Sequence, residues 1–266
     1  MLQATRGILL RKRSIPYQVY VSFGAVLVVL LICILLLGAL GGDAPPPHFK
    51  ISKAGLLKAI EYPLWQRISD GVAGRRYVLL TFDDGPGGHG VDEQILATLS
   101  KHHAHAIFFE VCDHIDDATL NVPRDIVAQG SILANHSYSH LRLPRLHGGV
   151  LDHQIAGCSD RLEAVSGTRP SFLRPPWGQT SPAVLKVVHS AGMQQVLWNA
   201  NSGDSWLTDP HKIIELSIKE VALSRASILL MHSRPATAAA LDALLTDLQQ
   251  RGARFILPVK ASGERN

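Results

Sequence analysis

The chain has 266 residues, 46% hydrophobic and 18% charged, a balance that excludes a disordered chain and leaves room for one sizeable globular domain with additions. Its formal net charge is +4, but beyond Arg6, Arg11, Lys12 and Arg13 the cations are scattered, so no nucleic-acid partner is expected. Three cysteines are too few for a disulfide framework; Cys33 falls in an apolar run, and Cys112 and Cys158 are expected as buried free thiols unless the fold brings them together in an oxidising compartment.

In chain order, residues 1–16 read as a basic cytoplasmic tail. Residues 17–41 follow as a single transmembrane helix, because Val19–Leu40 carries no charge and has the length needed to cross roughly 30 Å of hydrocarbon. The basic cluster before the span predicts an amino terminus in the cytoplasm and everything after the span on the outer side of the cytoplasmic membrane. A cleaved signal peptide is the alternative, with Ala39-Leu40-Gly41 as its small-residue site. Residues 42–73 form a linker, stiffened by Pro45-Pro46-Pro47, and a peripheral helix carrying Leu56, Leu57, Ile60 and Leu64, which Pro63 kinks or ends.

Residues 74–262 alternate between short apolar runs and helical patterns. Strands are predicted at Tyr77–Phe82, Ala106–Val111, Ser131–Ala134, Phe172–Leu173, Gln195–Trp198, Ser227–Met231 and Phe255–Pro258. Helices are predicted at Val91–His102, Pro123–Gln129, Leu151–Val165, Pro182–Ala191, Pro210–Leu223 and Ala238–Gln250. The alternation implies an α/β fold, an open doubly wound sheet or a closed barrel, and the count leans to the barrel, read as a deformed (β/α) barrel with about seven strands. In such folds ligands gather at the carboxyl ends of the strands.

At one of those ends the run Leu79-Leu80-Thr81-Phe82 closes on Asp83-Asp84-Gly85-Pro86. Adjacent carboxylates repel and resist burial, so a nearby cation is expected to compensate them. Asn135-His136-Ser137-Tyr138-Ser139-His140 supplies the means, since two His at i and i+4 on a helical turn face the same way. With one Asp they make three protein ligands and leave a position open, the pattern of a catalytic metal site. His102-His103-Ala104-His105 also has the composition of a metal tract, but it falls at a helix-to-strand connection and is read as a solvated turn.

These residues carry a resemblance. TFDDGP at Thr81–Pro86 and HSYSH at His136–His140, with FLRPPWG at Phe172–Gly178 and ILLMH at Ile228–His232, resemble in order the motifs of polysaccharide deacetylases with the NodB-homology domain, carbohydrate esterase family four. The resemblance spans approximately Arg76 to Lys260. It implies Asp83 as catalytic base, Asp84, His136 and His140 as metal ligands, Arg174 as the residue orienting Asp83, and His232 as general acid. It implies Pro176, Trp177 and Leu230 as walls of the substrate groove. The fourth motif departs from the family pattern, with Asn201 in place of one Asp and Ser205 inserted before Trp206. Asp204 is the candidate to support His232, and Trp206 a candidate groove wall. Ser233 also stands where the family often has Asp.

The implied function is metal-dependent hydrolysis of N-acetyl groups on an amino-sugar glycan, peptidoglycan or another N-acetylglucosamine polymer, with zinc as the expected divalent ion. A smaller or lipid-linked amino sugar is an alternative substrate. From other classes, an inactive carbohydrate-binding module and a metal-dependent phosphodiesterase compete with this reading; the first is disfavoured by the presence of Asp83, Asp84, His136, His140, Arg174 and His232, the second by the small number of metal ligands.

Overall fold

The computed structural model describes residues 76–258. The predicted basic tail, transmembrane helix, linker and peripheral helix lie outside the described residues, and among those described no helix is long and apolar enough to cross a membrane.

The strands are β1 (Arg76–Gly85), β2 (Ala106–Glu110), β3 (Ile132–Asn135), β4 (Phe172–Leu173), β5 (Gln194–Gln195), β6 (Ala200–Asn201), β7 (Ala226–His232) and β8 (Ala253–Phe255). The helices are α1 (Val91–Lys101), α2 (Val122–Ala128), α3 (Gly148–Asp152), α4 (Cys158–Ser166), α5 (Pro182–Ser190), α6 (Pro210–Ala222) and α7 (Pro235–Gln250). Every strand pairing is parallel, in the order β5-β4-β3-β2-β1-β7-β6. β8 pairs with Arg76–Val78, and β2 takes over the register of β1 from Leu80 onward. Among the described residues β5 and β6 end the path without pairing to each other, so the barrel stays open.

Five of the seven predicted strands lie close to their predicted bounds, whereas β5 and β8 end at Gln195 and Phe255 and share one residue each with the predicted Gln195–Trp198 and Phe255–Pro258. The eighth, β6, has two residues, too few for a periodic pattern to reveal it. The helix predicted as Leu151–Val165 is a composite, in which α3 and α4 are joined by a π-helical turn, His153–Gly157.

The two faces of β1 explain its nearly unbroken apolar sequence. Val78, Leu80 and Phe82 face helices and pack with Ile95, Leu99, Ile126, Leu162 and Leu241. Leu79 faces the other way, in a cluster with Ile107, Phe109, Ala134, Phe172, Val196 and Ile228. The fully buried members of that second cluster come from strands and strand ends and none from a helix, which is how a barrel interior is filled. Thr81 and Asp83 continue the inward parity of Leu79, and this brings the first carboxylate to the mouth of the barrel.

Two expectations need correction. Cys112 and Cys158 are bonded as a disulfide, not free, because β2 and the start of α4 bring their Cα atoms within 5.6 Å across 46 residues of chain. In the His102–His105 turn His103 and His105 are exposed as expected, but His102 is not: its ring is held between α1 and α7, with Nε2 2.7 Å from Asp242 Oδ1 and Nδ1 2.9 Å from Gln249 Oε1.

Candidate active site

At the carboxyl end of β1, Asp83 is buried and Asp84 half-exposed. Asp84 has φ 65°, a left-handed conformation that Asp tolerates better than most residues. This turn ends the strand's alternation and leaves both carboxylates at one mouth.

The His136–His140 segment is not the helical turn that the spacing predicted. Asn135 Oδ1 accepts from Ser137 N at 2.7 Å, Ser137 Oγ accepts from His140 N at 3.0 Å, and both Ser137 and His140 have positive φ, 72° and 51°. The loop is anchored to the π-helical turn. Tyr138 N donates to Gln154 O at 2.9 Å, Asn135 Nδ2 donates to Ile155 O at 2.8 Å, and the Gln154 amide bonds both the backbone N and the hydroxyl of Ser139. A π turn shifts backbone carbonyls out of the i→i+4 ladder, and here two of them hold the loop.

His136 Nδ1 lies 2.7 Å from Arg174 O. A carbonyl can only accept, so Nδ1 carries the proton and the lone pair of the neutral ring is on Nε2. That atom faces Asp84 Oδ1 at 3.5 Å, and His140 Nε2 approaches the same oxygen at 3.2 Å. Burial pushes the Asp84 carboxyl up, but when the facing rings are protonated, hydrogen bonding from His136 and His140 and the charge of His232 outweigh it and hold Asp84 well below the usual carboxylate range. One ligand atom from each of Asp84, His136 and His140 lies within 4.8 Å of the others. Ligands about 2.1 Å from a shared tetrahedral zinc are about 3.4 Å apart, so the donor set and its spacing fit a divalent cation.

Arg174 is fully buried, and Nη1 donates to Asp83 Oδ1 at 2.7 Å and to Thr81 Oγ1 at 2.9 Å. Its remaining nitrogens reach Val196 O and Leu197 O, both at 3.2 Å, and the guanidinium lies 4.2 Å from the Phe109 ring centroid. No arm of the fork is left idle.

Across the mouth, at the end of β7, His232 Nδ1 is 2.7 Å from Asp204 Oδ1, and Nε2 points toward Asp84 Oδ2 at 4.0 Å. Asp204 Oδ2 accepts from His232 N and from Thr237 Oγ1, each at 2.6 Å. Burial pushes the imidazole down, but Asp204 beside it, with Asp83 and Asp84 further off, raises its pKa above the ordinary histidine value. Asp204 is itself pushed up by burial, yet ends below its ordinary value through His232 and Thr237. The altered fourth motif is legible here: Asn201 Oδ1 accepts from Gly203 N at 2.9 Å, and this turn delivers Asp204 to His232. Ser233 acts through its backbone, N donating to Asp83 O at 2.9 Å.

Of the predicted groove residues, Trp177 is 50% exposed and stands edge-on to His140, centroids 4.4 Å apart. Pro176 and Leu230 are buried, Leu230 two residues before His232 on β7 and paired with Thr81. Trp206 is partly exposed and packs against Gly203.

Sequence reasoning missed Thr81, Thr237, Gln154 and Glu110. Thr81 was detectable from parity, two residues before Asp83; the other three depend on contacts with distant segments. Glu110 was passed over inside an apolar strand, yet its carboxyl is fully buried, with neither oxygen hydrogen-bonded among the described residues.

The family model described as polysaccharide deacetylase matches residues 70–196. Over that stretch, which holds Asp83, Asp84, His136, His140 and Arg174, the chain is similar to the polysaccharide deacetylase family. Its relatives include a peptidoglycan-N-acetylglucosamine deacetylase of Bacillus cereus, 29% identical over 184 residues, covering 67% of this chain and 66% of the relative. Among solved structures, the Bc1960 peptidoglycan N-acetylglucosamine deacetylase superposes with a TM-score of 0.65 at 27% identity, covering 73% of this chain and 93% of the other. A mutant of a family-four pseudoenzyme superposes with a TM-score of 0.63 at 25% identity, covering 70% of this chain and 66% of the other. The chain spans 66%, 49% and 38% of the length of the first three curated relatives it matches.

Proposed function

We propose that this chain is a metal-dependent N-deacetylase of amino-sugar glycans, peptidoglycan or another N-acetylglucosamine polymer, that releases acetate and leaves a free amine. One observation carries the reading. The Asp83–Arg174 and His232–Asp204 pairs approach Asp84, which His136 and His140 also face, from separate strand ends. A solved relative with the same fold is described as a pseudoenzyme, so the fold alone does not carry activity; the assembled side chains do.

Asp84, His136 and His140 would hold the ion, and imidazole with carboxylate at an open site favours zinc. When bound, such an ion supplies Lewis acidity toward water and the amide carbonyl. Asp83, aimed by Arg174, accepts the proton of the attacking water. His232 donates a proton from Nε2 to the departing sugar nitrogen, and Asp204 on Nδ1 keeps the ring oriented and charged. Trp177 offers an exposed ring for a sugar face.

The domain is proposed to sit outside the cytoplasmic membrane on a single amino-terminal span. The uncharged run Val19–Leu40 supports the anchor, and the Cys112–Cys158 disulfide supports an oxidising compartment. The test is acetate release by the full chain in detergent from chitin oligomers and from peptidoglycan, with zinc and after chelation. Release that requires the ion and disappears in Asp83→Asn sustains the reading. A metal-loaded chain that releases no acetate from either substrate overturns it.

A further inference from the structure

We propose that Arg142 and Arg234 form a two-sided receiver for negative charge on the glycan, making the preferred substrate an amino-sugar polymer that bears carboxylates. The proposal rests on the deacetylase reading and names its substrate class more closely.

The two arginines bracket the site. Asp84 turns Oδ1 toward His136 and His140 and Oδ2 toward His232 and Arg234. Arg234 Nη2 stops 3.7 Å from that second oxygen, beyond hydrogen-bond distance, while Nη1 is fixed on Ser205 O at 3.2 Å. Its side chain is 44% exposed. On the other flank, the Arg142 guanidinium lies 4.7 Å from the Trp177 ring centroid, and Trp177 touches His140. From Arg234 through Asp84, His140 and Trp177 to Arg142, the metal-ligand cluster lies between two cations.

Neither cation is committed to the site. Asp83 is matched by Arg174 and Asp204 by His232 and Thr237, and Asp84 would be matched by the ion it would hold with His136 and His140. Arg142 makes no side-chain hydrogen bond or ion pair among the described residues, in contrast to Arg169 on Asp160 and Glu163 or Arg251 on Asp247. A guanidinium stacked on an aromatic face keeps its N–H edge available, and its planar fork matches a carboxylate. Arg234, with one nitrogen held, is pre-aimed to offer the other. A neutral chitin chain offers hydroxyl and amide oxygens but no carboxylate for either fork to take bidentately.

The experiment compares kcat/KM of the full chain on neutral chitin oligomers, on glycan strands bearing only the lactyl carboxylate of muramic acid, and on strands that also carry stem peptides. The same ligands are titrated calorimetrically into the Asp83→Asn chain. The charged-to-neutral preference is expected to fall about tenfold in Arg234→Gln and in Arg142→Gln, chiefly through KM, and to weaken in the parent as salt rises. The two charged arms tell which carboxylate is gripped. Equal use of neutral and charged glycans by the parent, or a preference unchanged in both variants, overturns the proposal. If no substrate releases acetate, the deacetylase reading fails, and the calorimetric preference still decides whether the arginines select charge.

Discussion

Arg174 donates to Asp83 at 2.7 Å with both side chains almost wholly out of solvent, and the same guanidinium nitrogen also reaches Thr81. Taking two charges out of water costs several kcal/mol for each ion, which their attraction offsets only when the remaining hydrogen bonds are also made. Here they are, through Val196 O and Leu197 O. Removing one partner is therefore far worse than removing both. Arg174→Met is expected to destabilise the chain by about 3–5 kcal/mol, and Asp83→Leu combined with Arg174→Met to cost clearly less than the two single changes summed. Urea denaturation of the four proteins in the cycle reads this directly; strict additivity would mean that the pair is not coupled.

Glu110 lies behind the same loop, its carboxyl so close to Gly85 that a Cβ there would meet Oε1 at 2.5 Å. Burial, and then Asp92 and Asp83, push its pKa well above the usual carboxylate range. The folded chain thus keeps a proton that the unfolded chain gives up. For a carboxyl raised in this way, stability is unaffected below the unfolded value and declines as pH rises past it, by at most about 1.4 kcal/mol per pH unit for one proton. Glu110→Gln, which copies the protonated form, should match the parent near pH 4 and be the more stable at pH 8. Denaturation midpoints across that range would decide, and parallel curves for the two proteins would sink the idea.

Much of this was legible beforehand, for identifiable physical reasons. β1 and β7 announce themselves because both faces are covered, and Asp83, Asp84 and His232 mark strand ends where α/β folds collect chemistry. The His136–His140 pairing was anticipated for the wrong reason. The spacing suggested a helical turn, whereas an Asx-type turn and two left-handed residues bring the rings together. What stayed hidden was non-local. The Gln154 brace depends on a π turn that the 3.6-residue pattern cannot signal, β6 is too short to show a period, and the Cys112–Cys158 bond needs two elements that only the folded sheet brings together.

That disulfide closes a loop of 46 residues containing the whole His136–His140 segment. A cross-link of this span stabilises mainly by limiting the unfolded chain, by about 3–4 kcal/mol. Cys112→Ser with Cys158→Ser is expected to lower the thermal midpoint by several degrees while leaving a folded protein. Calorimetry of the oxidised, reduced and double-Ser forms checks it, with the last two expected to coincide.

His232 and Asp204 set the alkaline limit of the proposed reaction. The acid must be protonated when the sugar amine leaves, and Asp204 favours that form against the opposing effect of burial. Rate should therefore hold until pH rises through the raised imidazole value and then fall. Asp204→Asn removes the largest favourable influence and should move that descending limb to lower pH, while His232→Ala should cost about 10²–10⁴ in kcat and abolish the limb. The conservative variant separates a proton role from mere support of the β7 end. If the Asp204→Asn chain lost rate equally at every pH with an unmoved limb, Asp204 would be holding structure rather than charge. A limb that shifts downward, with rate recovered at lower pH, assigns the proton to His232.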